Sequence, residues 1–344
     1  IDQSGSQTDW YEYAYFNISS NLESAHSEPF PANQVSIYDR RTLVIMLAAM
    51  LSCYGLPESE YTFPGPSGVT TGAGAADGST VVCAAYQSTR LPAGSYRDWY
   101  LRIAQGAPGP LIGTERPVAS LDATNGTFTL ARPFSGQVPS GAAFELYAFR
   151  PSQFWVDCLF GEHTGAYQDV WIPFIHAIAG PPSGAVAGGN IRNIPLPGFI
   201  ERGVQIVRVR QRFGIDPRST LLVLGPEYEV HETPNGCTLH IPRGLAPGQV
   251  LILEGYRQCP RLVSDTESVS LTTSQLRLLL VSGAVQALRQ FVTSPVGLTE
   301  DMRRFAALLN QYESERRTRT VETGSWRNQA GLRPDVMIGV GPEW

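Results

Sequence analysis

The chain has 344 residues and a net charge of −5; 42% of it is hydrophobic and only 17% charged, with 34 Gly and 26 Pro. That length allows two or three domains and a large core, and the Gly and Pro content points to many turns and much β-structure. All 26 cationic side chains are arginine, so a lysine-dependent P-loop is excluded, and the acidic balance argues against a general nucleic-acid coat.

Residues 1–35 are polar and aromatic, with Trp10, Tyr11 and Tyr13 close together. They predict an extended arm that packs on a neighbour. Residues 36–63 are a helical segment. Its helix spans 38–54, capped by Asp39 or Ser36, with Leu43, Met46, Leu47, Met50 and Leu51 at helical spacing and Gly55 and Pro57 ending it. The apolar run 43–53 is far shorter than the roughly 20 residues that cross a bilayer, and it sits too deep to be a signal peptide.

Residues 64–150 predict a first β-domain. The stretch 64–80 reads as a linker or strand-flanking loop, and strands are expected at 81–86, 99–104, 114–121, 127–131 and 143–149. Residues 151–190 return to helical character through 178, with Phe154, Trp155, Cys158 and Leu159 on one face, followed by a Gly/Pro loop at 180–190. Residues 191–262 predict a second β-domain, with strands near 204–213, 221–223, 228–231, 238–241 and 250–256. Along the first of these, Val207 and Val209 face one way and Arg208, Arg210 and Arg212 the other.

Residues 263–320 read as a helical hairpin. A helix at 272–293 starts on a Thr/Ser cap, and Pro295-Val296-Gly297 leads to a second at 299–319. The second opens on Thr299-Glu300-Asp301 and ends on Arg316, Arg317 and Arg319, charges that suit its dipole. These arginines are also the densest basic cluster in the chain. Residues 321–344 form a polar tail with Trp326 and Trp344 as aromatic anchors.

One module is written twice. Residues 125–150 and 235–257 each open on Asn-Gly, which favours a tight hairpin turn. Each continues as an alternating strand, passes a Pro/Gly turn, and closes on a strand ending in an aromatic and an arginine. With a helical segment and a loop between them, and with two copies too few for a solenoid, they read as the closing hairpins of two separate β-domains.

No catalytic constellation stands out. The five cysteines, Cys53, Cys83, Cys158, Cys237 and Cys259, include no C-x-x-C and read as small buried hydrophobes. Cys158 and His163 lie five apart on an expected helix, on different faces. His231 and His240 flank the second Asn-Gly turn, but no Cys, Asp or Glu is read as sitting with them at ligand spacing. Tyr96, Trp99, Tyr100, Tyr147 and Phe149 could stack on sugars but read first as strand aromatics. The sequons at Asn17 and Asn125 carry little weight, the second being explained by its turn. No catalytic, cofactor or metal residue is assigned.

The order of elements resembles the neck, or head–tail connector and adaptor, proteins of tailed bacteriophages. The likeness lies in a helix, a Gly/Thr/Ala-rich stretch and a β-domain closing on P-x-G-x-x-F-E-L (Pro139, Gly141, Phe144, Glu145, Leu146). A Pro195-Leu196-Pro197 lead then opens a second β-domain patterned on Tyr228, Val230, Leu239, Ile241, Pro247, Gly248, Leu251, Leu253, Tyr256 and Arg257. It covers about residues 36–320. The resemblance implies a virion structural protein with no catalytic residue and no cofactor. It implies a homo-oligomeric ring between portal and tail or fibre proteins, through which DNA passes without sequence-specific binding.

The expected fold is α+β: two small antiparallel β-domains, sandwich or barrel-like, on a helical frame with a C-terminal α-hairpin. The expected interface residues are Trp10, Tyr11, Tyr13, Arg208, Arg210, Arg212 and Trp326; no membrane association is expected. Alternatives are a fibre- or collar-anchoring tail protein and a secreted carbohydrate-binding or glycan-cleaving β-protein.

Overall fold

Runs of alternating polarity give this chain its strands, and in the computed structural model every pairing among the described residues is antiparallel. The structure describes residues 35–55, 65–87, 94, 96–179, 191–200, 206–213, 220–223, 228–233, 236–246, 249–293 and 299–330, with four two-residue strands before them. Those four are β1 (Trp10–Tyr11), β2 (Phe16–Asn17), β3 (Leu22–Glu23) and β4 (Phe30–Pro31); β1 pairs with β4 and β2 with β3. The class is α+β, as the sequence predicts. No helix among the described residues is long and apolar enough to cross a membrane.

The chain divides into two compact units. The first comprises Ile1–Asp169 and Pro260–Thr318, the second Val170–Cys259 and Arg319–Trp344. In chain order, therefore, the second β-domain is inserted into the first unit.

In the first unit, β5 (Val35–Asp39) leads into α1 (Arg40–Met50). The helix starts two residues later than expected because Asp39 is its cap, accepting the Thr42 amide at 2.6 Å. The β-domain is one six-stranded sheet in the order β6-β11-β8-β9-β10-β7. Its members are β6 (Gly68–Val69), β7 (Thr80–Val82), β8 (Tyr100–Gln105), β9 (Glu115–Asp122), β10 (Thr127–Leu130) and β11 (Ala143–Tyr147). The two edges approach each other at a Gly72–Val82 bridge, which curls the sheet toward a barrel. Tyr86, Phe128 and Phe144 fill its interior in edge-on and tilted ring contacts. The stretch 65–80 is not a linker. Ser67 and Thr70 are buried, and their hydroxyls accept the Leu146 and Ala142 amides, both at 2.8 Å.

The helices are α2 (Ser152–Phe160), α3 (Thr273–Thr293) and α4 (Thr299–Ala330). Thr272 and Gln275 form a reciprocal capping box at the start of α3: Gln275 N donates to Thr272 Oγ1 at 3.3 Å, and Thr272 N to Gln275 Oε1 at 2.9 Å. Helix α3 is buried on nearly all sides, beyond the single apolar face expected. At Gly283 a Cβ would stand 2.8 Å from Leu159 Cδ2 and 3.1 Å from Leu47 Cδ2, so the glycine lets α1 and α2 close on α3. Phe291 continues this core against Phe154, Trp155 and Phe305.

Helix α4 runs to Ala330, past the 320 boundary expected. Residues 320–330 contain no proline, and one glycine costs a helix only about 1 kcal/mol. The expected connection at 295–297 lies outside the described residues. β19 (Ser268–Thr272) pairs with β5 as a two-stranded ribbon before α3.

The second unit holds β12 (Trp171–Ala179), β13 (Ile191–Pro195), β14 (Ile206–Phe213), β15 (Thr220–Val223), β16 (Glu229–Thr233), β17 (Gly236–Leu245) and β18 (Gln249–Gln258). They form a four-stranded sheet, β12-β18-β14-β15, and a three-stranded sheet, β13-β17-β16. Their shared core includes Phe174, Ile194, Val209, Leu239, Ile241, Leu251 and Leu253. Strand β12 corrects the helix expected through 178. Ile172 and Phe174 alternate inward, and Pro173 sits on an edge strand, where no ladder donor is needed. The expected Gly/Pro loop at 180–190 lies outside the described residues.

The repeated module folds differently from its sequence reading. Each Asn-Gly does follow one hairpin strand and lead into the next: β9 pairs with β10, and β16 with β17. Gly126 has φ +66°, and a Cβ there would stand 2.2 Å from Cys83 O. The two strands inside each copy, however, do not pair. In the first copy β10 and β11 are separated by β8 and β9; in the second, β17 and β18 belong to different sheets.

Candidate functional site: a buried arginine–carboxylate network

The first unit gathers five charged side chains around one cleft. The Asp39 cap fixes the first turn of α1, so consecutive residues Arg40 and Arg41 leave the helix about 100° apart. Arg40 turns to Asp265, donating from Nη2 at 2.7 Å and Nε at 3.1 Å. Arg41 turns to Glu145 and donates from Nε. Arg102 on β8 stands directly opposite Glu145 on β11 and joins both acids, through Nη1 to Glu145 at 3.0 Å and through Nη2 to Asp265. The Tyr147 hydroxyl adds a donor to Glu145 at 2.9 Å. Glu145 is fully buried, while Arg41 and Arg102 keep 24% and 14% of their side-chain surface.

The protonation states follow from these partners. Burial acts to lower the Arg41 and Arg102 values, but the Glu145 charge and hydrogen-bonded carboxylates outweigh it and hold both guanidiniums charged. Burial pushes Asp265 up, and hydrogen bonds from Arg102 and Arg40 more than reverse that. Burial also raises the Tyr147 phenol well above its ordinary value, and the Glu145 charge adds to it. Close by, burial raises Glu115, against its hydrogen bonds from Ser152 N at 2.9 Å and Ser152 Oγ at 3.2 Å at the start of α2.

A cleft of about 110 Å³ is lined by Arg40, Arg41, Arg102, Tyr147, Ser152 and Asp265, among others. Arg41 Nη2 is buried without a hydrogen-bond partner among the described residues. Chemically the network is a clamp. Its guanidiniums cannot serve as bases, and both oxygens of Glu145 are engaged by donors. Sequence reasoning passed over Glu145 because a charged residue in an alternating strand reads as solvent-facing. In fact β11 is buried at every position.

The expected interface residues disperse. Trp10 and Tyr11 form β1, and Trp326 lies on α4, but their side chains lie outside the described residues, as does Tyr13 altogether. Arg208, Arg210 and Arg212 all lie on β14. Arg210 pairs with Glu254 of β18 at 3.1 Å, so its charge is met within its own sheet; the side chains of Arg208 and Arg212 lie outside the described residues. The register shifts between Ile206 and Arg208, so Ile206 joins Val209 in the core. Of the basic cluster, Arg316 is tied to Asp169 at 2.8 Å.

The remaining candidates resolve as follows. All five cysteines are buried. Burial pushes Cys53, Cys158 and Cys259 up to about 12, the wrong direction for a nucleophile. Tyr96 and Trp99 pack on the first β-core, and Phe149 on Phe291 and Phe305.

His231 and His240 do come together, with ring centroids 5.9 Å apart. Contrary to the sequence reading, an acid sits with them: Glu229 Oε2 lies 3.5 Å from His231 Nε2. Its position two residues earlier on the same strand was the available signal. Among the described residues, no group of three or more His, Cys, Asp or Glu is gathered to hold a metal ion. The chain matches no protein-family model and no curated protein.

Proposed function

We propose that this chain is a non-enzymatic structural protein of a tailed-phage virion, assembling as a homo-oligomeric ring in the neck between portal or capsid and tail. The observation that carries the reading is the Glu145 network. The cleft beside it engages its charges with one another, tying α1, β8, β11 and the loop at Asp265 together rather than presenting a reactive group. The β5–β19 ribbon adds support. Its strands pair with each other alone among the described residues, and Ile37 is 73% exposed on it. Open strand edges with an exposed apolar side chain suit the heterologous contacts that close a ring.

The test is particle mass. Size-exclusion chromatography with light scattering on the full chain is expected to give a defined multiple of 37.5 kDa, and negative-stain images are expected to show rings. A 37.5 kDa monomer at every concentration tried would overturn the reading.

A further inference from the structure

We propose that the cleft of the first unit binds one small oxyanion of the phosphate or sulfate class, held by the guanidiniums of Arg40, Arg41 and Arg102. The cleft has a volume of about 110 Å³, several times the roughly 30 Å³ that one water occupies in the liquid, so it admits an ion of a few atoms. All three arginines line it and keep 17%, 24% and 14% of their side-chain surface exposed, so the cations can be reached from solvent. Asp265 is the one acid among the lining residues.

Cationic charge and donor groups both exceed what the network's own acids meet. Three guanidiniums stand against two carboxylates, Glu145 and Asp265. Glu115, the other nearby acid, turns its carboxylate onto Ser152 and is not among the lining residues. Each guanidinium carries five N–H donors. Arg41 directs one of them, at Nε, to Glu145, and its Nη2 is buried without an acceptor among the described residues. Arg102 directs one to Glu145 and one to Asp265. Both acids are already occupied: Glu145 accepts from Arg41, Arg102 and Tyr147, and Asp265 from two nitrogens of Arg40 and from Arg102. Water can accept the spare N–H groups but brings no charge. An oxyanion supplies the acceptors and the missing negative charge together, and the planar fork of arginine matches its oxygens in pairs. The partial burial of all three cations strengthens that attraction over its value in open water.

The full chain is titrated with inorganic phosphate by calorimetry in a chloride background of constant ionic strength, which holds general screening fixed. One ion per chain is expected, with sulfate competing for the same site. Saturating phosphate should raise the thermal midpoint, because only the folded chain binds it. Arg41→Gln leaves Glu145 a donor but removes the surplus charge, so it should weaken phosphate binding at least about tenfold. Gln153→Glu carries the same test without touching the network. Gln153 is exposed and lines the cleft from the first turn of α2, where the helix dipole favours an acid. The added negative charge should weaken binding several-fold while the urea midpoint is held. A short DNA duplex should not displace the phosphate, because a cleft of this size admits a free ion rather than a duplex backbone. Displacement by the duplex overturns the proposal. So does undiminished binding by either folded variant, or an absence of saturable phosphate and sulfate binding by the unaltered chain up to millimolar anion.

Discussion

Glu145 is a carboxylate with no solvent of its own, held by two guanidiniums and a phenol. Removing its charge leaves Arg41 and Arg102 without their common partner in a largely dry site. Glu145→Gln should therefore destabilise the first unit by about 3–5 kcal/mol, read as a lower urea midpoint. Asp265, by contrast, reports on pH. Its folded value is depressed below the ordinary 3.8, so the stability it supplies is fully present above that pH. That stability is lost as pH falls through the folded value. The unaltered protein should weaken across this acid window, and Asp265→Asn should show a shallower acid limb from a less stable neutral state; urea titrations at stepped pH measure both. Glu115 acts with the opposite sign. Burial raises it above 4.5, so its contribution is greatest below that pH and fades as pH rises through its folded value. The pairing of Arg40 and Arg41 with acids 225 and 104 residues away, in that order, leaves no local trace in the sequence.

At the scale of elements, local chemistry was a good guide where the signal lay within one turn. Asp39 and Thr272 cap their helices as their positions imply. Thr272→Ala should cost about 1 kcal/mol, seen as a lowered thermal midpoint with the helical circular dichroism otherwise retained. Gln275 gives the reciprocal bond, so Gln275→Ala should move the midpoint in the same direction. Guidance failed where a residue type fitted two periods. The run Trp171–Ala179 is apolar enough for a helix, but its inward residues alternate, and ladder pairing with β18 along its full length decides for strand. The doubled module is a related case. Each copy begins at a hairpin, β9–β10 and β16–β17, yet the two strands within each copy pair elsewhere, because each domain had other strands to pair with.

The whole molecule departs most from a linear reading. The sequence predicts seven consecutive segments, whereas the chain enters the second β-unit at Val170 and returns at Cys259. The two crossing points lie side by side, with Cys259 N donating to Val170 O at 2.8 Å and Trp171 paired to Gln258. Residues 170–259 should therefore be removable. With Asp169 joined to Pro260 by a short Gly-Ser linker, the first unit is expected to unfold cooperatively in urea with its Trp155 and Phe291 core intact. A non-cooperative transition would show that the insertion is needed for folding.

The sequence by itself determined the class, the helix caps, the turn at Gly126 and most strand positions, because propensity, capping and alternation act over a few residues. It also determined the inward cysteines and the packing of the strand aromatics. Only the tertiary structure decided that Glu145 is buried, that β12 is a strand, that Glu229 joins the two histidines, and that one domain sits inside the other in the chain. Each of these depends on which distant segment lies alongside, and that is set by the summed burial of whole sheets and helices rather than by any short stretch of chain.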